Sequence, residues 1–75
     1  MTKTPRNICG PRVRRFRVSL GLSQPQFAAK CQRAGWDVSR DIIARIEGQT
    51  RWVADFELVK LAKILGKDIK ELITG

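Results

Sequence analysis

The apolar positions of this chain recur mainly three and four residues apart, the spacing that places side chains on one face of a helix. Punctuating residues divide the pattern into five short helices, with no strand pattern and no internal repeat. The first is expected at about 11–20. Pro11 suits its opening position after Gly10, Gly21 stops it, and Val13, Phe16, Arg17 and Leu20 share one face with Arg12, Arg14 and Arg15 around the rest. In the second, Ser23 and Gln26 have capping-box spacing and Pro25 falls in the first turn, where a missing N–H is tolerated. Phe27, Ala28, Cys31 and Ala34 form its inward stripe, and Gly35 ends it. Trp36, Asp37 and Val38 then lead to Ser39, a good N-cap for a third helix. There Ile43, Ile46 and Glu47 fall on one side, Arg40, Asp41, Ala44 and Arg45 on the other or its flanks, and Ile42 at the border. Asp55 caps a fourth helix at about 56–65, where Leu58, Leu61, Ala62 and Leu65 recur at helical spacing before Gly66. Asp68 caps a short fifth, whose Ile69 and Leu72 close the core.

Two charged residues interrupt the apolar stripes. A guanidinium at Arg17 needs an anionic partner if it is buried, and Glu47, on the inward side of the third helix, is the natural one. Trp36 and Trp52 are expected to pack rather than to stack on a ligand. Residues 1–8 show no period and contain Pro5, so they read as a loose basic arm before a domain over 9–75.

Charge sharpens this outline. The chain of 75 residues carries fifteen Lys and Arg against seven Asp and Glu, a net of +8. Residues 1–54 hold eleven basic and three acidic side chains and so the whole net of +8; residues 55–75 hold four of each. Such a field favours a polyanion. No apolar run approaches the roughly 18 residues of a membrane span, and the N-terminus lacks a signal-peptide core, so a cytoplasmic protein with no membrane partner is expected.

The third helix then acquires a specific meaning. An apolar back and an outer face with two arginines and an aspartate suit a DNA major groove. Arginine can bind guanine through two hydrogen bonds, and aspartate can accept from the cytosine amino group. With no histidine and only Cys9 and Cys31, far apart, ordinary Cys/His zinc spacing and histidine-based catalysis are excluded. No metal, cofactor or enzymatic activity is expected, and Cys31 reads as a small buried apolar residue.

In order and spacing, Gly10-Pro11-Arg12-Val13-Arg14-Arg15-Phe16-Arg17, Gly21-Leu22-Ser23-Gln24, Phe27-Ala28, Ser39-Arg40, Ile43, Ala44-Arg45-Ile46-Glu47 and Leu58 through Gly66 resemble the Cro/C1-type (XRE) helix-turn-helix family. The resemblance covers about residues 9–73. It implies an all-α, compact five-helix, lambda-repressor-like domain whose second and third helices form the helix-turn-helix. By position it implies base contacts from Arg40, Asp41 and Arg45, a backbone contact and bracing role for Gln24, and a charged pair of Arg17 with Glu47. One departure is the segment 31–38, longer than the family's usual tight turn; an extra turn of the second helix is expected, with Trp36 or Val38 filling the gap.

The expected function is therefore sequence-specific binding of double-stranded DNA by a repressor-like regulator. Ile42 would lie against a thymine methyl, and Arg12, Gln24, Ser39, Gln49, Thr50 and Arg51 would hold the DNA backbone, with Lys3 and Arg6 of the arm within reach of phosphates. A homodimer is expected, formed only on DNA if weak, through the neutral C-terminal part, where Val59, Ile64 and Ile73 exceed what a single core needs. The competing reading is an antitoxin or adaptor that mainly grips a protein partner, although such proteins usually carry an added segment and this chain ends after its fifth helix. RNA binding lacks the aromatic-bearing sheet or glycine loop of common RNA modules.

Overall fold

The computed structural model describes residues 4–74, so Lys3 lies outside the described residues. Five helices follow in order: α1 (Gly10–Ser19), α2 (Gln24–Arg33), α3 (Arg40–Glu47), α4 (Asp55–Leu65) and α5 (Ile69–Ile73), with no strand among the described residues. Helix α1 packs against α3, α4 and α5, and α2 packs on α3. Val13, Phe27, Cys31, Ile43, Ile46, Leu61 and Leu72 are fully buried where these helices meet. Burial pushes the Cys31 thiol up to about 11, so it stays neutral in the core. No helix is long and apolar enough to cross a membrane.

The helix ends show how the sequence sets the boundaries. Ser23 Oγ accepts the Gln26 N–H while Gln26 Oε1 accepts the Ser23 N–H, so α2 opens on a reciprocal cap. Helix α4 begins one residue earlier than expected. Ala54, not Asp55, precedes its first turn, and Glu57 supplies the polar group by accepting the Ala54 N–H at 3.1 Å. Asp55 lies within that turn and accepts the Phe56 N–H. Two residues expected in the core are exposed instead, Leu20 and Ala34. Both sit just past the last residue of their helix, where the chain has begun to reverse and the helical period no longer applies.

The long connection between α2 and α3 is closed rather than loose. Gly35 takes a φ of +90°, a conformation that glycine adopts without the usual steric penalty. The Trp36 N–H then reaches back to the Cys31 carbonyl at 2.9 Å, the closure that ends many helices. This turn drives Trp36 under the helix end, leaving it 7% exposed, and buries Val38 beside it. Both residues, rather than one, fill the gap, and Gln32 Nε2 donates to the Val38 carbonyl to hold the segment down. Trp52 does the opposite of what was expected: it is 68% exposed and belongs to no packed face.

Candidate nucleic-acid interface

Helix α3 is seated by its inner face and held at both ends. Ile43 and Ile46 are fully buried, and the Ser39 hydroxyl accepts the Ile42 N–H at the start. The Glu47 carboxylate is the hub of the inner face. Arg17 Nε donates to its Oε2 at 2.6 Å and Arg17 Nη2 to its Oε1 at 3.0 Å, a two-pronged ion pair almost closed to solvent. Gln24 Nε2 donates to the same Oε1 at 3.0 Å, and the remaining arm of Arg17 donates to the Leu22 carbonyl. One carboxylate thus joins α1, the start of α2 and the end of α3.

The far end of α3 is fastened by the segment before α1. Asn7 Nδ2 donates to the Ile46 carbonyl at 3.1 Å and to the Arg51 carbonyl at 2.8 Å, while its Oδ1 accepts the Gly10 N–H. The Arg6 N–H donates to the Gln49 carbonyl, and Gln49 Nε2 to the Asn7 carbonyl. Residues 6–9 are therefore fixed to the domain, and the loose arm expected over 1–8 does not extend through them. Gln49 holds a φ of +61° to make this turn, a strained setting for a residue with a side chain. The Thr50 N–H and hydroxyl both donate to the Arg45 carbonyl, satisfying the last turn of α3.

With its back and ends fixed, α3 turns Arg40, Asp41 and Arg45 to solvent and leaves Ile42 half-buried at the edge. Arg40 Nη1 lies 3.7 Å from Asp41 Oδ1, both side chains being well hydrated. Among the described residues no hydrogen bond or ion pair engages the Arg45 guanidinium. Ser39 lies exposed at the head of the helix, and Arg12 is half-buried with Nη1 on the Ile8 carbonyl.

All six positions expected to hold a DNA backbone also make hydrogen bonds inside the protein, Arg12, Gln24 and Ser39 as described above. Gln49 and Thr50 are engaged as above, and Arg51 makes a two-pronged ion pair with Glu57 at 3.0 and 3.1 Å. Hydrogen bonds from Arg51 hold the Glu57 carboxyl below its ordinary value, against the opposing effect of partial burial. The pair therefore stabilises the fold above the unfolded carboxyl's pKa of about 4.3, and this contribution fades as pH falls through the lowered folded value. Arg51→Ala should lower the melting temperature at neutral pH and match the parent once both states are protonated; an equal deficit at acid pH would contradict this.

Asn7 is the residue that sequence reasoning missed. Its Oδ1 takes the first helical N–H from two residues ahead of the N-cap Cys9, a position that no cap pattern in the sequence marks. Among the described residues no group of three or more His, Cys, Asp or Glu side chains could hold a metal ion.

A family model described as helix-turn-helix matches residues 13–72, nearly the whole chain. No curated protein and no solved structure matches it.

Proposed function

We propose, from the premise that the chain belongs to the Cro/C1-type helix-turn-helix family of DNA-binding regulators, that it is a repressor reading double-stranded DNA with α3 in the major groove. The observation that carries this reading is the exposed Arg40, Asp41 and Arg45 face on a helix whose other side and both ends are fixed. Arg40 and Arg45 offer paired donors to guanine, Asp41 accepts from cytosine, and Ile42 meets a thymine methyl. Ser39, the helix N-terminus behind it, Arg12 and Thr50 hold phosphates; Gln24 combines a phosphate contact with its brace on Glu47. Gln49 and Arg51 shape the loop that faces the backbone and add to its positive field. Eight residues of helix rise only about 12 Å and span few base pairs. Useful selectivity therefore requires a two-fold dimer on paired half-sites.

The test begins with selection of bound sequences from a random duplex pool, which should return a motif with two-fold symmetry. Arg45→Ala should then lose about 1–3 kcal/mol on the selected site and relax preference at one base position only. Arg12→Ala should instead weaken all duplexes alike and make the log–log salt slope shallower by about one unit. If Arg40→Ala, Asp41→Ala and Arg45→Ala all leave discrimination intact, α3 is not the reader.

A further inference from the structure

The ends of three helices meet around an open groove of about 530 Å³, lined by no residue of α3 and by none of the positions proposed to hold DNA. Leu20 after α1, Ala34 after α2, and Ile64 and Leu65 of α4 form its apolar floor. Leu20 is 46% exposed, whereas Ile64, expected to be surplus to a single core, packs against that core. Among the described residues the only charges lining the groove are Lys30 and Lys63. A third lysine, Lys67, holds its Nζ 4.9 Å from the centre of the Phe16 ring, one turn of α1 before Leu20. Among the described residues no ion pair engages any of these three lysines. Their placement at helix ends accounts for only part of their charge. Leu20, Ala34 and Gly66 are C-caps, and each helix end carries a partial negative charge of about half a unit. Three full positive charges exceed that. No Asp or Glu precedes Asp37 in the sequence, and Asp68, next to Lys67, does not line the groove. The floor is apolar and its surroundings are electropositive.

We infer that this groove takes an amphipathic helix of another protein, one whose apolar stripe is bordered by Asp and Glu. Such docking needs nothing from the DNA reading. Charge and polarity together select the occupant. Nucleic acid would engage the lysines but leave Leu20 and Ala34 without a partner, since neither offers a hydrogen bond to phosphate. A second copy brings the same net charge of +8 and is repelled. A helix laid in the groove covers Leu20 with apolar side chains at i, i+3, i+4 and i+7, while its flanking carboxylates meet Lys30 on α2 and Lys63 on α4. The lysine stems extend the apolar walls and keep their ammonium groups at the rim. Little ordering is left for the moment of binding. The Trp36 N–H on the Cys31 carbonyl already closes the end of α2, and the Lys67 N–H on the Ala62 carbonyl closes α4. Because α3 is not used, partner and DNA can be held at once.

Selection from a phage-displayed library of random helical peptides against the full chain tests this, with the double variant Lys30→Glu, Lys63→Glu as counter-target. The peptides that survive should share an apolar stripe bordered by Asp and Glu. One of them, labelled and titrated by fluorescence anisotropy, should bind Lys63→Glu and Leu20→Asn at least about tenfold more weakly than the parent. Both positions are exposed, so both variants should keep the parent melting temperature. Exchanging the peptide's acids for lysines should abolish binding to the parent and create binding to the double variant. Enriched peptides without acids would overturn the docking site. So would an acidic peptide that Leu20→Asn binds as well as the parent does, since only a general attraction for anions would remain. If duplex DNA displaces the peptide and Lys30→Glu also weakens duplex binding, the surface meets DNA and no partner helix. If Leu20→Asn instead lowers self-association in sedimentation equilibrium, a second copy covers it. Peptide binding as expected by a chain that binds no duplex would leave the docking site standing and remove the DNA reading.

Discussion

Glu47→Gln should unfold far more readily than the parent, with a loss of about 3–5 kcal/mol, because it strands the Arg17 guanidinium in a site nearly closed to water. Glutamine is nearly isosteric, so the cost is electrostatic rather than a matter of volume. Its amide keeps one acceptor oxygen but turns the other into a donor that faces Arg17 or Gln24, both of which donate there already. Chemical denaturation at neutral pH measures the loss. Replacing both members, Arg17→Met with Glu47→Leu, should recover much of it, since an apolar pair leaves no stranded charge. A Glu47→Gln protein with the parent's midpoint would show that the pair does not hold the helices together.

The second large effect is expected at Gly10, on steric grounds. A methyl group on its Cα would collide with the Ile46 carbonyl oxygen and lie 3.0 Å from the Glu47 carbonyl oxygen. Both are backbone atoms, and neither can swing aside as a side-chain tip would. Helix α1 would have to lift from the end of α3, drawing Asn7 from its two carbonyl partners. Gly10→Ala should therefore cost about 1–3 kcal/mol, in the range of overpacked cores, despite alanine's better helix propensity. Equal or greater stability of Gly10→Ala in thermal melts would show that α1 and α3 are not in such close contact. Gly21, where an added carbon meets nothing, differs: its constraint is a φ of +74°.

The two serine caps and the ion pair were legible in the sequence because each is a local anomaly, whereas the Asp55 cap was placed one residue late. Ser23 with Gln26 and Ser39 before an apolar run announce helix starts within four residues. Arg17 is conspicuous as a charge in an apolar stripe, and Glu47 stands on the complementary face. Leu20 and Ala34 were misplaced because periodicity was carried up to the glycines at 21 and 35, whereas each helix ends two residues before its glycine. Asn7 was missed for another reason: the carbonyls it binds lie 39 and 44 residues away, and only the folded chain brings them near. Trp52 follows α3 in an aperiodic loop, and no sequence period assigns such a residue to an inside or an outside. Arg51 looked free for a phosphate because its partner Glu57 lies across a turn rather than at helical spacing.

The two-ended anchoring of α3 has a thermodynamic consequence. Ordering a helix of eight residues from a flexible chain would consume backbone entropy of about 1–2 kcal/mol per residue at the moment of binding. Here Ser39 at one end, Asn7 and Thr50 at the other and Glu47 beneath complete that ordering during folding. In the DNA complex proposed above, only the outward side chains, chiefly Arg40, Asp41 and Arg45, would still have rotamers to lose. A target whose groups match them gains nearly the full value of each hydrogen bond. A mismatched target cannot recover the loss by reshaping the backbone, so rigidity sharpens discrimination more than it raises affinity.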